Sequence, residues 1–224
     1  MRKPVVEYKN FRLSNIREPQ YKHLLYLLGW PIYFILYFLT ENLIPFEACT
    51  PVWCPLDDMI PFCEWFVIPY VGWYLLIVGS LVYFARYNPS RFVGLQKFII
   101  VTQLVAMAVY IIFPNRQDLR PLAFERNNIL TWIVSLLYTA DTSTCVCPSL
   151  HVAYSIGIAS TFLKEKTVSW LSKTLITLFC ILVCLSVAFV KQHSVVDIFA
   201  AIPLCLLAEW VAFGKSYWRR GVQK

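Results

Sequence analysis

Charge is scarce in this chain. Asp, Glu, Lys and Arg make up 15% of its 224 residues, against about 25% in an ordinary soluble domain. That deficit excludes a typical soluble domain. No internal repeat and no low-complexity linker breaks the sequence, so it reads as one domain rather than a repeat array. No cleavable secretory leader is expected either. The first 23 residues are polar and basic, the first apolar run starts near Leu24, and no small-residue cleavage site follows it at Glu41-Asn42-Leu43-Ile44. That run is therefore expected to stay as a membrane span. No His and Cys set has zinc-like spacing, and Cys145-x-Cys147 is too tight, so neither a metal nor a cofactor is expected.

Apolar residues are abundant, at 58% of the chain, and they cluster in long runs rather than along one helix face. Burial on all sides at this chain length means lipid. A membrane helix needs about 20 mostly apolar residues. The expected fold is all-α, a polytopic bundle of six transmembrane helices at roughly 24–44, 65–85, 97–114, 150–164, 168–190 and 194–213. The fourth is short, and the stretch Ile129 to Tyr138 is too short to span. The expected organisation is a basic N-terminal segment (1–23), a membrane domain (24–214) and a basic tail (215–224). Trp30, Trp65, Trp73, Trp170, Trp210 and Trp218 lie near span ends and read as an interfacial belt.

The net charge of +7 does not indicate nucleic acid, because the basic residues flank apolar runs and form no continuous face. All but four of the 20 Lys and Arg residues fall on one side of the expected bundle. The positive-inside rule makes that side, with both termini, cytoplasmic. The N-terminal segment there can meet anionic headgroups. Arg116, Arg120, Arg126 and Lys191 remain on the other side, where sorting rules disfavour them. Arg126 lies apart from the others and is expected to meet lipid headgroups.

His151 and His193 map to that same side, at the starts of the fourth and sixth spans, while His23 is expected at the opposite interface. His193 and Asp197 stand i, i+4, on one helix face with about 6 Å between Cβ atoms. A carboxylate there can hold the proton of one imidazole nitrogen and make the other more basic. Pro148-Ser149-Leu150-His151 opens the fourth helix, where free backbone N–H groups favour an anion. Arg120, Arg116 and Lys191 would add cations suited to phosphate. Each feature also has a plain explanation: a packing pair, a helix cap, or charges at a headgroup layer.

Arg120-Pro121, then Pro148-Ser149-Leu150-His151, then His193-x-x-x-Asp197 resemble the three-part signature of the type 2 phosphatidic acid phosphatase family, over roughly residues 97–213. The stretch Lys191-Gln192-His193 is most similar to the inositol phosphorylceramide synthase-like branch. The resemblance implies a metal-independent site at the extracytoplasmic ends of the last three to four helices, acting on a lipid phosphate in the bilayer. His193 would be the nucleophile, Asp197 its orienting group, and His151 the acid and then the base. Arg120, Ser149, Lys191 and Arg116 would hold the phosphate. The chain departs from the family pattern at Phe113, Val187, Leu150 and Ala201, where a Lys, an Arg, a Gly and a second Gly are usual.

The expected activity is hydrolysis of a lipid phosphomonoester or pyrophosphate through a phosphohistidine. The candidate substrates are phosphatidic acid, phosphatidylglycerol phosphate and polyprenyl pyrophosphate. Transfer of a phosphoryl headgroup to an alcohol is the alternative, and a non-catalytic lipid-binding or transport protein is the reading from another class. The expected setting is a bacterial plasma membrane. Cys49, Cys54, Cys63, Cys145 and Cys147 share the side of the two histidines, so a disulfide between the 49–63 and 145–147 loops is expected to brace the site. Cys180, Cys184 and Cys205 lie in spans and read as packing residues.

Overall fold

A computed structural model describes residues 3–221, with side chains up to Gly214. Arg2 and the side chains of the expected basic tail, Trp218 included, lie outside the described residues. The chain is mostly helical: α1 (Gly29–Leu43), α2 (Pro55–Met59), α3 (Val67–Tyr87), α4 (Pro89–Ile112), α5 (Ile129–Ala140), α6 (Leu150–Lys164), α7 (Trp170–Phe189) and α8 (Val195–Gly221). Five helical segments among the described residues are long and apolar enough to cross a membrane. They are Lys22–Leu43, Glu64–Tyr87, Pro89–Ile112, Trp170–Phe189 and Val195–Gly214.

The expected fourth span, 150–164, is not among them. α6 has 15 residues, a length of about 22 Å at 1.5 Å per residue, against a hydrocarbon core of about 30 Å. It lies in the middle of the bundle, packed on α4, α7 and α8. Tyr154, Ser155, Ile158 and Thr161 are all buried there. α1 is the opposite case. Thr40 is its one buried residue, and Ile32, Phe34, Ile35 and Phe38 are each more than half exposed. Such a surface needs lipid rather than water.

Local chemistry sets the helix ends. Asn88 caps α4, accepting from the Arg91 amide at 3.2 Å, and Pro89 fills the first position, where a missing N–H costs nothing. Asn128 caps α5 by accepting from the Leu130 and Thr131 amides at 2.8 and 3.0 Å. The close approach of α6 to α4 depends on Gly157, where a Cβ would stand 2.5 Å from the Phe98 ring. α1 leans on α4, with the Trp30 indole donating to Gln96 Oε1 at 3.2 Å.

The N-terminal segment is held by the protein itself. The Val5 and Val6 amides donate to the Arg86 carbonyl at 2.9 and 3.1 Å. His23, expected at an interface, is buried; it bonds the Tyr8 hydroxyl at 2.7 Å and packs edge-on against Phe92.

At the other end of the bundle the loops are stitched together. Thr50 and Pro51 pair in parallel with Asn115 and Arg116, and Arg116 bridges Thr144. Asn115, fully buried, is the hub. Its side chain donates to the Phe113 and Cys147 carbonyls (2.9 and 3.0 Å) and accepts from the Val146 and Cys147 amides (2.9 and 2.8 Å). The expected disulfide between these loops is not formed, and all eight cysteines are free thiols. The hydrogen bonds of Asn115 provide the bracing in its place.

Candidate active site

His193 lies in the turn between α7 and α8, and Asp197 one turn into α8. The imidazole Nδ1 is 3.0 Å from the Val146 carbonyl and 3.2 Å from Asp197 Oδ2. Both partners are acceptors, so Nδ1 carries the proton and Nε2 presents its lone pair. The turn is built for this. The His193 and Gln192 amides both donate to Val187 O at 3.0 Å. The Ser194 amide donates to Asp197 Oδ2 at 3.0 Å. Asp197 is fully buried, and among the described residues its Oδ1 has no hydrogen-bond partner.

His151 opens α6 and faces the same place. Its ring is flanked by Trp73 and Tyr70 at 4.1 and 4.5 Å between centroids, and it stands 5.6 Å from the His193 ring. Its Nε2 is buried with no hydrogen-bond partner among the described residues, an arrangement costly enough to need a reason. Trp73, expected in an interfacial belt, is buried against this histidine. Trp65, Trp170 and Trp210 are exposed, as a belt requires.

The two histidines line a cavity of about 660 Å³. α1 packs on α4, and the cavity is lined by residues of both α1 and α3, Trp30, Phe34, Ile77 and Leu81 among them. One end is thus polar, with His151, His193, Asp141 and Gln192, and the rest is apolar and aromatic.

The structure brings together His193, Asp197 and His151, with Ser149 and Arg120 close behind. Ser149 is fully buried as the cap of α6, accepting from the Val152 amide at 3.5 Å. Its own amide donates to the Asp197 carbonyl at 3.2 Å, tying α6 to α8. Arg120 donates to Gln192 Oε1 (2.9 Å), Tyr138 O (3.0 Å) and Asp141 O (2.6 Å). Burial pushes its guanidinium below its usual value, and the Asp141 carboxylate opposes this, so it stays charged.

Lys191 and Arg116 are placed elsewhere. Lys191 donates to the Asp57 and Ile60 carbonyls at 2.7 and 2.5 Å. Arg116 donates to the Phe46 and Cys49 carbonyls at 2.9 and 3.0 Å and pairs with Asp118 at 3.1 Å. Neither lines the cavity, and among the described residues its wall carries no lysine or arginine. Arg126, expected to meet headgroups, is exposed and lies 3.5 Å from Glu64 Oε1.

Three residues of the site carried no sequence signal. Asp141 shares the cavity wall with the histidines and accepts from the Tyr70 hydroxyl at 2.9 Å. Asn115 positions the Val146 carbonyl. Asp57, buried, accepts from the Ser194 hydroxyl (2.6 Å) and the Val195 amide (2.8 Å), and so caps α8 from a distant loop. No family model, curated protein or solved structure matches the chain.

Proposed function

We propose that this protein is a membrane enzyme that transfers the phosphoryl group of a lipid phosphate to water, through a phosphohistidine at His193 and without a metal. One observation carries the reading. A histidine whose Nδ1–H is held by a buried carboxylate lies 5.6 Å, ring to ring, from a second histidine with an unpartnered nitrogen. Both open onto a cavity that is polar only at their end.

The chemistry follows from those positions. Nε2 of His193 bonds to phosphorus as the bond from phosphorus to the lipid alcohol oxygen breaks. That oxygen takes a proton from protonated His151. Water then gives a proton back to His151 while its oxygen attacks phosphorus. The phosphorus–nitrogen bond breaks and His193 is restored. Asp197 stabilises the positive charge that His193 gains. The first amides of α6, next to His151, and Arg120 behind Gln192 oppose the phosphate charge. The apolar part of the cavity takes the lipid chains. The sequence resemblance assigns the same roles to the same residues, and the charge asymmetry of the loops puts the site on the extracytoplasmic side.

The test is phosphate release from a panel of lipid phosphates in detergent with EDTA present, for the wild type and His193→Ala. Release that survives EDTA and disappears in the variant is expected. Release that persists in His193→Ala would refute the assignment.

A further inference from the structure

Aromatic rings from α3 and α6 stack alternately beside the cavity, and one of them is His151. Tyr70 and Trp73 come from α3, three residues apart, and His151 and Tyr154 come from α6 at the same spacing, so each pair shares a helix face. The contacts run Tyr70, His151, Trp73, Tyr154, with centroids 4.5, 4.1 and 5.6 Å apart and planes tilted by 33°, 34° and 15°. Rings this close and this nearly parallel meet through their faces. His151 therefore meets both rings of α3.

Packing alone does not account for the arrangement. Among the described residues no hydrogen bond holds the His151 ring. Trp73 Nε1 is also buried without a partner among them, although a buried indole N–H usually finds an acceptor. A smaller apolar side chain would leave no donor stranded. What indole adds is its face, the best of the aromatic faces for a cation. Tyr70, fully buried, is fixed by its hydroxyl, which donates to Asp141 Oδ2 at 2.9 Å. The same oxygen accepts from the Gln192 side-chain amide at 3.3 Å, and Gln192 Oε1 accepts from Arg120 Nε at 2.9 Å. A phenol that donates to a carboxylate is polarised towards a more electron-rich ring.

His151 must be protonated when the lipid oxygen leaves, and its burial disfavours that charge. The other groups facing it give little compensation. His193, 5.6 Å away, gains positive charge itself, and Asp197 is taken up by His193 and the Ser194 amide. Asp141 is engaged by Tyr70. The remaining tyrosines of the wall, from α1, α3 and α4, and Cys145 are neutral at neutral pH. The outer end of α7, from Leu185 to Phe189, brings no titratable side chain. Two aromatic faces are left to favour the cation.

We infer that Tyr70 and Trp73 are positioning residues that act through His151, holding its ring by the faces, leaving both nitrogens free and favouring the protonated form. This deepens the phosphoryl-transfer reading and rests on it for the use of the proton. The effect on His151 itself belongs to the resting protein. One such contact corresponds to about two- to thirtyfold in proton affinity.

The experiment takes the purified full chain in detergent, isotope-labelled at histidine Cε1, and titrates it by NMR without substrate. His151→Gln assigns the signal by its loss. In the wild type the His151 Cε1–H signal should be moved upfield by the neighbouring ring faces, and its absence from that region overturns the proposal without any variant. Trp73→Leu should lower the proton affinity of His151 by about three- to tenfold, and Trp73→Phe, which restores a face, should recover most of it. The direction separates the two causes, because a merely structural loss admits water beside the imidazole and raises its proton affinity. An unchanged or raised affinity in Trp73→Leu, or in Tyr70→Leu should the first variant not fold, overturns the proposal.

Phosphate release reports on the reaction separately. The alkoxide of phosphatidic acid needs a proton as it leaves, and the phenolate of 4-nitrophenyl phosphate does not. In Trp73→Leu, kcat should fall about three- to thirtyfold for the first and less than about twofold for the second. Equal falls would remove the positioning role. A wild type that releases phosphate from neither, with the titration as expected, would sink the reaction and leave the aromatic seat of His151 in place.

Discussion

Asp197→Asn is the sharpest test of the chemistry, because the substitution keeps the shape and removes only charge. Asp197 Oδ2 accepts from the Ser194 amide and from His193 Nδ1, at 3.0 and 3.2 Å. The asparagine oxygen can accept both bonds. The Val146 carbonyl, 3.0 Å from Nδ1, holds the imidazole tautomer independently. The remaining difference is one negative charge beside a ring that becomes cationic as its nitrogen bonds to phosphorus. At 3.2 Å and an effective dielectric of about 20, a full charge pair is worth roughly 5 kcal/mol. Each 1.36 kcal/mol is about tenfold in rate, so the ceiling is between three and four decades. The charge is only partly developed in the transition state, and the expected fall in kcat is about 100- to 1,000-fold. Single-turnover release of diacylglycerol from saturating lipid in mixed micelles measures it. The melting temperature should stay near that of the wild type. A well-folded Asp197→Asn within about threefold of wild-type kcat would refute the assignment of Asp197 to charge stabilisation.

Three further outcomes are expected. Burial pushes the Cys145 and Cys147 thiols up to about 12, with the Asp197 carboxylate adding to the effect at Cys147. From an ordinary value of 9.0, that lowers the thiolate fraction at pH 8, and with it alkylation by maleimide, about a thousandfold relative to unfolded protein. Equal labelling of folded and unfolded chain, read by mass spectrometry, would contradict it. Asp57→Ala strands the Ser194 hydroxyl and the Val195 and Cys54 amides, which costs roughly 3 kcal/mol. It should lower the melting temperature by several degrees, and an unchanged transition would remove Asp57 from the account. Lys191→Met loses the bonds to the Asp57 and Ile60 carbonyls. Stability should fall by about 1–2 kcal/mol, with KM for the lipid within about twofold; a tenfold rise in KM at unchanged stability would return Lys191 to the phosphate.

Two kinds of information were legible in the sequence. Lipid burial is a property of composition over about 20 residues, so the five long apolar helices could be located from apolar runs alone. The pairing of His193 with Asp197 was legible because i, i+4 is a short-range relation in the chain, although His193 lies in the turn before α8 and only Asp197 stands on the helix. α6 falls short of the expected span for a physical reason. A helix buried on all sides by protein carries the same apolar residues as one facing lipid, and only its 15-residue length separates the two. The small residue that brings it against α4, Gly157, has meaning only once Phe98 is known to lie opposite.

The cations show where counting residues misleads. Arg116, Arg120 and Lys191 share one end of the bundle, and charge alone assigns all three to a phosphate. In the structure all three donate to backbone carbonyls of the loops they join. Those carbonyls have no helix to satisfy them, and a buried carbonyl without a donor is expensive. Long cationic side chains with several N–H groups meet that demand. The same need explains Asn115 and Asp57, single polar residues with no motif around them, which satisfy loop backbone and thereby fix His193 from two sides. Asn115 sets the Val146 carbonyl against Nδ1, and Asp57 anchors the start of α8 at Ser194 and Val195, one and two residues from His193. Most of the polar residues at this end thus hold the histidines in place. Among the described residues His151 Nε2 is left unpartnered in a cavity open towards the apolar helices, and a ligand has that atom to meet.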